Sequence, residues 1–251
     1  MHSLFSPLNL SAATSLFFPL AVIFFAYLVR GIAGFGSALI AVPLLALVMP
    51  LTLVVPMVVL LDYLSSLTQG VSNRQHICWK DIWPLIPFSA AGVAYSLYIF
   101  TSSDTQHLAI GLGIFIILFG VYQLLPIQFG RADNWAALPT GFFGGFFGAM
   151  FGTGGPFYVI YLSLRQLEKV AFRATFATIF LIDGSMRLAG FALNSLYDYS
   201  AAAHLIALFP AAILGLFIGS RIYSTASKQD FLRIISVLLL GSGIALILKN
   251  L

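Results

Sequence analysis

Charge is what this sequence has least of. Only 8% of its 251 residues are Asp, Glu, Lys or Arg, where a soluble domain carries about 25%. So few charges cannot cover a water-facing surface, and the chain needs lipid as its solvent. It has one cysteine, Cys78, which excludes an internal disulfide and a cysteine-built metal cluster. No stretch is long and polar enough to fold as a domain outside the membrane. A basic face is missing as well. The net charge is +4 and the isoelectric point near 9.3, but the twelve Lys and Arg are scattered through loops. That scatter reads as a topology signal and argues against nucleic acid as a partner. The N-terminus lacks a basic leader region and a small-residue cleavage site. Its apolar run therefore reads as a first membrane segment and not as a cleaved signal peptide.

What is present is apolar. Hydrophobic residues make up 60% of the chain and the mean hydropathy is +1.01. A span takes about 20 apolar residues, so the length accommodates roughly eight to ten segments joined by short loops. Runs punctuated by Gly, Pro and charge give five segments in the first half, at 11–29, 37–49, 51–70, 82–100 and 107–125. Five more follow, at 136–150, 155–165, 170–193, 200–222 and 231–249. Unpaired strands in lipid would leave their backbone groups unsatisfied, so these segments are helices. The expectation is an all-α membrane protein, a polytopic helix bundle.

The halves also match each other. Gly34 and Gly36 align with Gly152 and Gly154 at an offset of 118 residues. Asp62 pairs with Asp183 and Asn73 with Asn194 at 121, and Pro87, Gly92 and Gly120 pair with Pro210, Gly215 and Gly243 at 123. This predicts a duplicated unit, residues 1–130 and 131–251, forming one integrated transmembrane domain. The basic residues Arg74, Lys80, Arg131, Arg165, Lys169, Arg173, Arg221, Lys228 and Arg233 cluster in alternate loops. Placing those loops in the cytoplasm inverts the second copy relative to the first and puts both termini outside. Trp79, Trp83 and Trp135 then fall near the cytoplasmic interface, where aromatic belts form. Inverted repeats are a recurrent architecture of secondary transporters, with the site at the repeat interface.

Two glycine-rich breaks occupy equivalent places in the copies, Arg30-Gly31-Ile32-Ala33-Gly34-Phe35-Gly36-Ser37 and Gly148-Ala149-Met150-Phe151-Gly152-Thr153-Gly154-Gly155-Pro156. Each interrupts an apolar run and precedes a segment too short to span comfortably, so each copy is expected to contain a glycine-broken helical hairpin. Pro156 suits a first helical turn, where its missing N–H is no loss. If the second arms start inside the membrane, their free N–H groups and positive dipole ends suit an anion. Close helix packing by small residues is the competing use of such glycines. The candidate anion contacts are Arg30, Gly34, Gly36, Ser37, Gly152, Thr153, Gly154, Gly155 and Arg187.

Asp62, Asp183 and Arg187 fall inside apolar segments, where each charge costs on the order of 2.5–3.5 kcal/mol on insertion scales. Asp183 and Arg187 are four apart on one helix face, and a structural ion pair there is an alternative to function. Asp62 has no matching arginine, since Ser66 holds that place. Its partner is Arg30, or else it is a proton carrier kept neutral by burial. Arg30 itself has the alternative of snorkelling to the interface. His76, His107 and His204 are isolated near segment ends, His2 is terminal, and no pair has metal-ligand spacing. Asn73 and Asn194 read as caps or interhelical hydrogen bonds.

At the glycine breaks the sequence resembles the TauE/SafE family of sulfite-exporter-type permeases. The resemblance rests on Gly31-x-x-Gly34-x-Gly36 with Val42-Pro43-Leu44-Leu45, on Gly144-Gly145-x-x-Gly148-x-x-x-Gly152-x-Gly154-Gly155-Pro156, and on Leu214-Gly215-x-x-x-Gly219-x-Arg221. Arg30 before the first motif, Phe35 and Ser37 within it and Pro156 after the second mark a divergent branch. The resemblance implies a multi-pass inner-membrane carrier for small sulfur-containing or organic anions, such as sulfite or sulfonates. Its partners would be a small anionic solute and the bilayer, with no cofactor, no metal and no catalytic residue. Asp62 or Asp183 is the coupling candidate if transport is proton-linked, and a homo-oligomer stays open. Two rival readings are an intramembrane serine protease, for which Gly36-Ser37-Ala38 and Gly241-Ser242-Gly243 are the nearest approaches, and a non-transporting scaffold subunit.

Overall fold

A computed structural model describes residues 10–70, 75–125, 130, 134–197, 199–222 and 228–251. Among the described residues the regular structure is entirely helical. In chain order the helices are α1 (Leu10–Ala33), α2 (Ser37–Leu45), α3 (Leu51–Gly70), α4 (Trp79–Ile82), α5 (Ile86–Ser102) and α6 (Thr105–Leu124). They continue with α7 (Ala137–Phe151), α8 (Gly155–Leu164), α9 (Lys169–Leu193), α10 (Tyr199–Ile222) and α11 (Lys228–Asn250). Each apolar run of the sequence holds one of these helices. The exception is α4, a four-residue turn of Trp-Lys-Asp-Ile too short to give a hydropathy signal.

Four helices, at Leu16–Ala33, Thr105–Leu124, Lys169–Leu193 and Ala203–Arg221, are long and apolar enough to cross a membrane. The two that follow the glycine breaks are not. α2 has nine residues and α8 has ten. At 1.5 Å per residue they reach about 15 Å, half the hydrocarbon thickness.

In lipid, helices associate through close packing and hydrogen bonds, because burial against another apolar helix gains little over burial in acyl chains. The long seams are α1 on α10, α5 on α7 and α6 on α11, with α3 against α9 at the centre. Glycine sets their closeness at matched points. A Cβ at Gly215 would collide with the Phe24 carbonyl of α1, and one at Gly92 with the Phe142 carbonyl of α7. Gly92 and Gly215 are 123 residues apart and Phe24 and Phe142 are 118 apart, the spacings already found in the sequence. On the α6–α11 seam a Cβ at Gly120 would lie 3.4 Å from the Ser236 carbonyl, and one at Gly243 would lie 2.9 Å from the Gly113 carbonyl.

The larger core gathers Tyr27, Val42, Leu45, Val54, Leu112 and Phe151 around α1–α3 and α6. A smaller one, with Ile82, Leu85, Tyr158, Tyr161, Ile179 and Phe180, sits between α4, α5, α8 and α9. Outside, Phe17, Tyr98, Leu118, Ile206 and Val237 are exposed, as a lipid-facing surface requires. Trp79, Trp83 and Trp135 are exposed too, and the first two lie ring to ring, 6.2 Å between centroids.

Candidate functional site

The first break follows α1. The Gly34 N–H donates to the Arg30 carbonyl at 2.7 Å, ending the helix. Gly34 and Gly36 then take φ of 85° and 98°, a left-handed region that disfavours side-chain-bearing residues. The double reversal turns the chain into α2 with Ser37 as its first residue. Open space surrounds the position of a Cβ at both glycines.

Arg30 is buried and does not snorkel. Its Nη1 lies 3.0 Å from Asp62 Oδ1 and donates to Ser37 Oγ at 3.1 Å. Its Nη2 donates to Ser66 Oγ at 2.7 Å and to the Asp62 carbonyl at 3.2 Å. Asp62 Oδ1 accepts further bonds from Tyr27 Oη at 2.7 Å and Ser37 Oγ at 2.6 Å. The Ser37 hydroxyl is therefore engaged on both sides, by an arginine and a carboxylate.

The second break ends α7. Gly152 has φ of 72°, and Thr153 folds back on α7 with its hydroxyl 3.3 Å from the Phe147 carbonyl. Nearby, Arg187 Nη2 lies 2.6 Å from Asp183 Oδ2, a charge contact without hydrogen-bond geometry. Arg187 Nη1 donates to the Gly148 carbonyl at 3.2 Å. Ser89 Oγ donates to Asp183 Oδ1 at 2.7 Å and lies 3.0 Å from Tyr158 Oη. An Arg, an Asp, a Ser and a Tyr are thus buried together beside each break, and the second set takes its Ser from α5 and both charges from α9. Ser66 stands one turn after Asp62, as Arg187 does after Asp183, and the Arg30 guanidinium reaches that same hydroxyl.

The breaks face each other. A Cβ at Gly152 would lie 3.1 Å from Ala38 Cβ of α2, and one at Gly155 would lie 3.7 Å from Phe35 Cβ. Between them is a cavity of about 10 Å³ lined by Arg30, Gly36, Asp62, Gly152, Thr153 and Gly155, among others. A wider cavity of about 50 Å³ adjoins Arg30, with Gly34, Phe35, Ser66, Phe172 and Arg173 in its wall. The first N–H groups of α2 and α8 have no intrahelical acceptor. The Nε atoms of Arg30 and Arg187 are likewise buried without a hydrogen-bond partner. Helix N-termini and guanidinium groups are donors of the kind that bind anions, and here they share the wall with the Asp62 carboxylate that pairs with Arg30.

The family model of the sulfite exporter TauE/SafE matches residues 19–246, a region that takes in both breaks, both arginines and both aspartates. The chain belongs to the TauE/SafE family. It is similar to the "Probable inner membrane transporter protein TsaS" of Comamonas testosteroni, 26% identical over 193 residues, which cover 76% of this chain and 81% of that protein. It is also similar to the "Probable sulfite/organosulfonate exporter TauE" of Cupriavidus necator, 24% identical over 226 residues, covering 86% of this chain and 88% of that one. No solved structure matches.

In this TauE/SafE protein the site residues named from sequence do not all converge. Arg30, Gly36, Asp62, Gly152, Thr153 and Gly155 share the cavity between the breaks, and Gly34 lines its neighbour. Ser37 sits beside them through its bonds to Arg30 and Asp62. Gly154 is instead packed on the Gly144 carbonyl, and Arg187 with Asp183 lines neither cavity. Tyr27, Ser66, Ser89, Tyr158 and Phe180 join the site without having been singled out as ligands. One signal for Phe180 exists, since Phe172, Phe176, Phe180, Asp183 and Arg187 recur at three- and four-residue steps on α9.

A further ion pair lies at the far end of α8. Asp81 of α4 is buried, takes Arg165 Nε at 2.7 Å, and its carbonyl accepts from Tyr161 Oη at 2.9 Å. It ties the end of α8 to α4. The remaining polar candidates are peripheral. His76 and His107 are exposed, and Asn194 donates to the Gly190 carbonyl at 2.8 Å at the end of α9. His2, Asn73, Arg74 and Arg131 lie outside the described residues. Among the described residues no three His, Cys, Asp or Glu side chains group as metal ligands.

Proposed function

We propose that this protein is a secondary carrier that moves a small anion, a sulfur oxyanion or an organosulfonate, across the inner membrane. The anion is held where the two glycine breaks meet. The observation that carries this reading is that Arg30 and the starts of α2 and α8 meet at one small cavity, which at about 10 Å³ has room for a single water and widens to take the solute. The substrate class is that named for the Cupriavidus necator relative. Arg187 adds positive potential from the second half, and Asp62 or Asp183 is the carboxylate available for proton coupling. Counterflow of labelled sulfite and a simple sulfonate in proteoliposomes tests the reading. Saturable uptake is expected. No flux of either anion from folded protein would redirect the search to another solute class.

The architecture proposed with it is two inverted repeats, 1–130 and 131–251, each of five membrane segments. Its support is the recurrence of the packing contacts at the sequence offsets, with α1 on α10 answered by α5 on α7. The short α2 and α8 fit re-entrant arms in such a scheme. The positive loops set the orientation, with both termini outside. A reporter enzyme fused to the C-terminus is expected to be active only when external, and a cytoplasmic reporter would reverse the orientation.

A further inference from the structure

One aromatic ring is shared by both buried arginines. The guanidinium carbons of Arg30 and Arg187 each lie over the Phe180 ring, 5.6 Å from its centroid. Arg30 and Phe180 are also the two residues common to the walls of the 50 Å³ and 10 Å³ cavities. These two side chains therefore border both cavities. Arg30 is fixed by four polar contacts. Phe180 has no polar anchor. Its neighbours are the rings of Phe176 at 4.7 Å and Tyr158 at 6.1 Å, and at its tip stands Gly155, which has no side chain to pin it. Arg30 is thus held by directional polar contacts, and Phe180 by ring packing and its two guanidinium contacts, with only a glycine at its tip.

We propose that the Phe180 ring is the gate between the cavity at the start of α9 and the cavity between the glycine breaks. The role rests on the reading of the inner cavity as the solute site. The gate has a built-in sensor, because the ring's electron-rich face and an incoming anion compete for the same guanidinium groups. An anion that engages the Arg30 guanidinium where it stands weakens its hold on the ring. In the resting arrangement the ring also keeps two like charges on a common neutral partner while each stays paired with its own aspartate.

The test reads accessibility and needs no solute flux, so its failure is distinct from failure of the carrier reading. In a Cys78→Ser background, Ala38→Cys places a thiol in the inner cavity and Ala177→Cys places one in the outer cavity. Both are labelled in detergent with a charged thiol reagent. If the open state is a minor one, populated in roughly a tenth of molecules or fewer, Phe180→Ala should speed labelling at position 38 by about tenfold or more. The rate at position 177 should stay within about twofold, and Phe180→Trp should not speed labelling at 38. An unchanged rate at position 38 in Phe180→Ala, with position 177 reacting normally, would overturn the proposal. Should Phe180→Ala fail to fold, Phe180→Leu decides by the same criterion, because it keeps an apolar side chain but removes the ring.

Discussion

Alanine at Gly92 will keep α5 from seating on α7, and alanine at Gly215 will do the same to α10 on α1. In both places the added Cβ meets a backbone carbonyl oxygen, of Phe142 and Phe24 respectively, and not a side chain that could turn away. Separating the helices to relieve the clash would loosen two of the longest seams in the bundle. Overpacking costs about 1–3 kcal/mol, and a clash with backbone puts both variants at the upper end of that range. Melting of the purified protein in detergent measures it, and the two variants should lose similar stability. Alanine at Gly241 is the control, since a Cβ there meets nothing within 4 Å. Equal losses would support the pairing of the two halves. Wild-type stability in either variant would mean that the seams are not as close as described.

The second large effect concerns the buried pair on α9. Asp183→Ala leaves the Arg187 guanidinium buried with no counterion, and breaking such a pair on one side costs about 3–5 kcal/mol. Replacing both partners with apolar residues of similar volume, Asp183→Leu with Arg187→Met, removes the uncompensated charge and should recover most of that loss. Ser89 and Tyr158 keep each other as partners in the double variant. The double variant is expected to fold and to have lost transport, which separates the structural use of the pair from its part in the site. Wild-type flux in the double variant would assign Asp183 and Arg187 to structure alone.

The helices are legible in the sequence because lipid makes hydropathy a nearly direct readout of each span. The breaks are legible because Gly34, Gly36 and Gly152 interrupt apolar runs at the points where positive φ is needed. The proximity of Arg30 to Asp62 is legible for a different reason. A carboxylate inside an apolar run demands a cation, and Ser66 occupies the place where the other half carries one. Tyr27, Ser89, Tyr158 and Phe180 are not legible in this way. Tyr27, Ser89 and Tyr158 cost little in a membrane helix when hydrogen-bonded. Phe180 is one of 24 phenylalanines, most of which do nothing more than fill space. Their roles depend on which helix faces lie against one another, which local pattern does not encode. The same holds for Asp81, which sits beside Trp and Lys in an interfacial stretch where a charge raises no question until its burial is seen.

If the anion is held by Arg30 beside the glycine breaks, the half-saturation of sulfite counterflow must change in Arg30→Lys. Lysine keeps a positive charge for Asp62 but cannot span Ser37, Ser66 and Asp62 with one planar fork. Losing a single charge-assisted hydrogen bond to the solute corresponds to about a tenfold change in affinity. Folded Arg30→Lys is expected to need a roughly tenfold higher sulfite concentration for half-maximal uptake. An unchanged half-saturation and rate in that variant would contradict Arg30's hold on the anion.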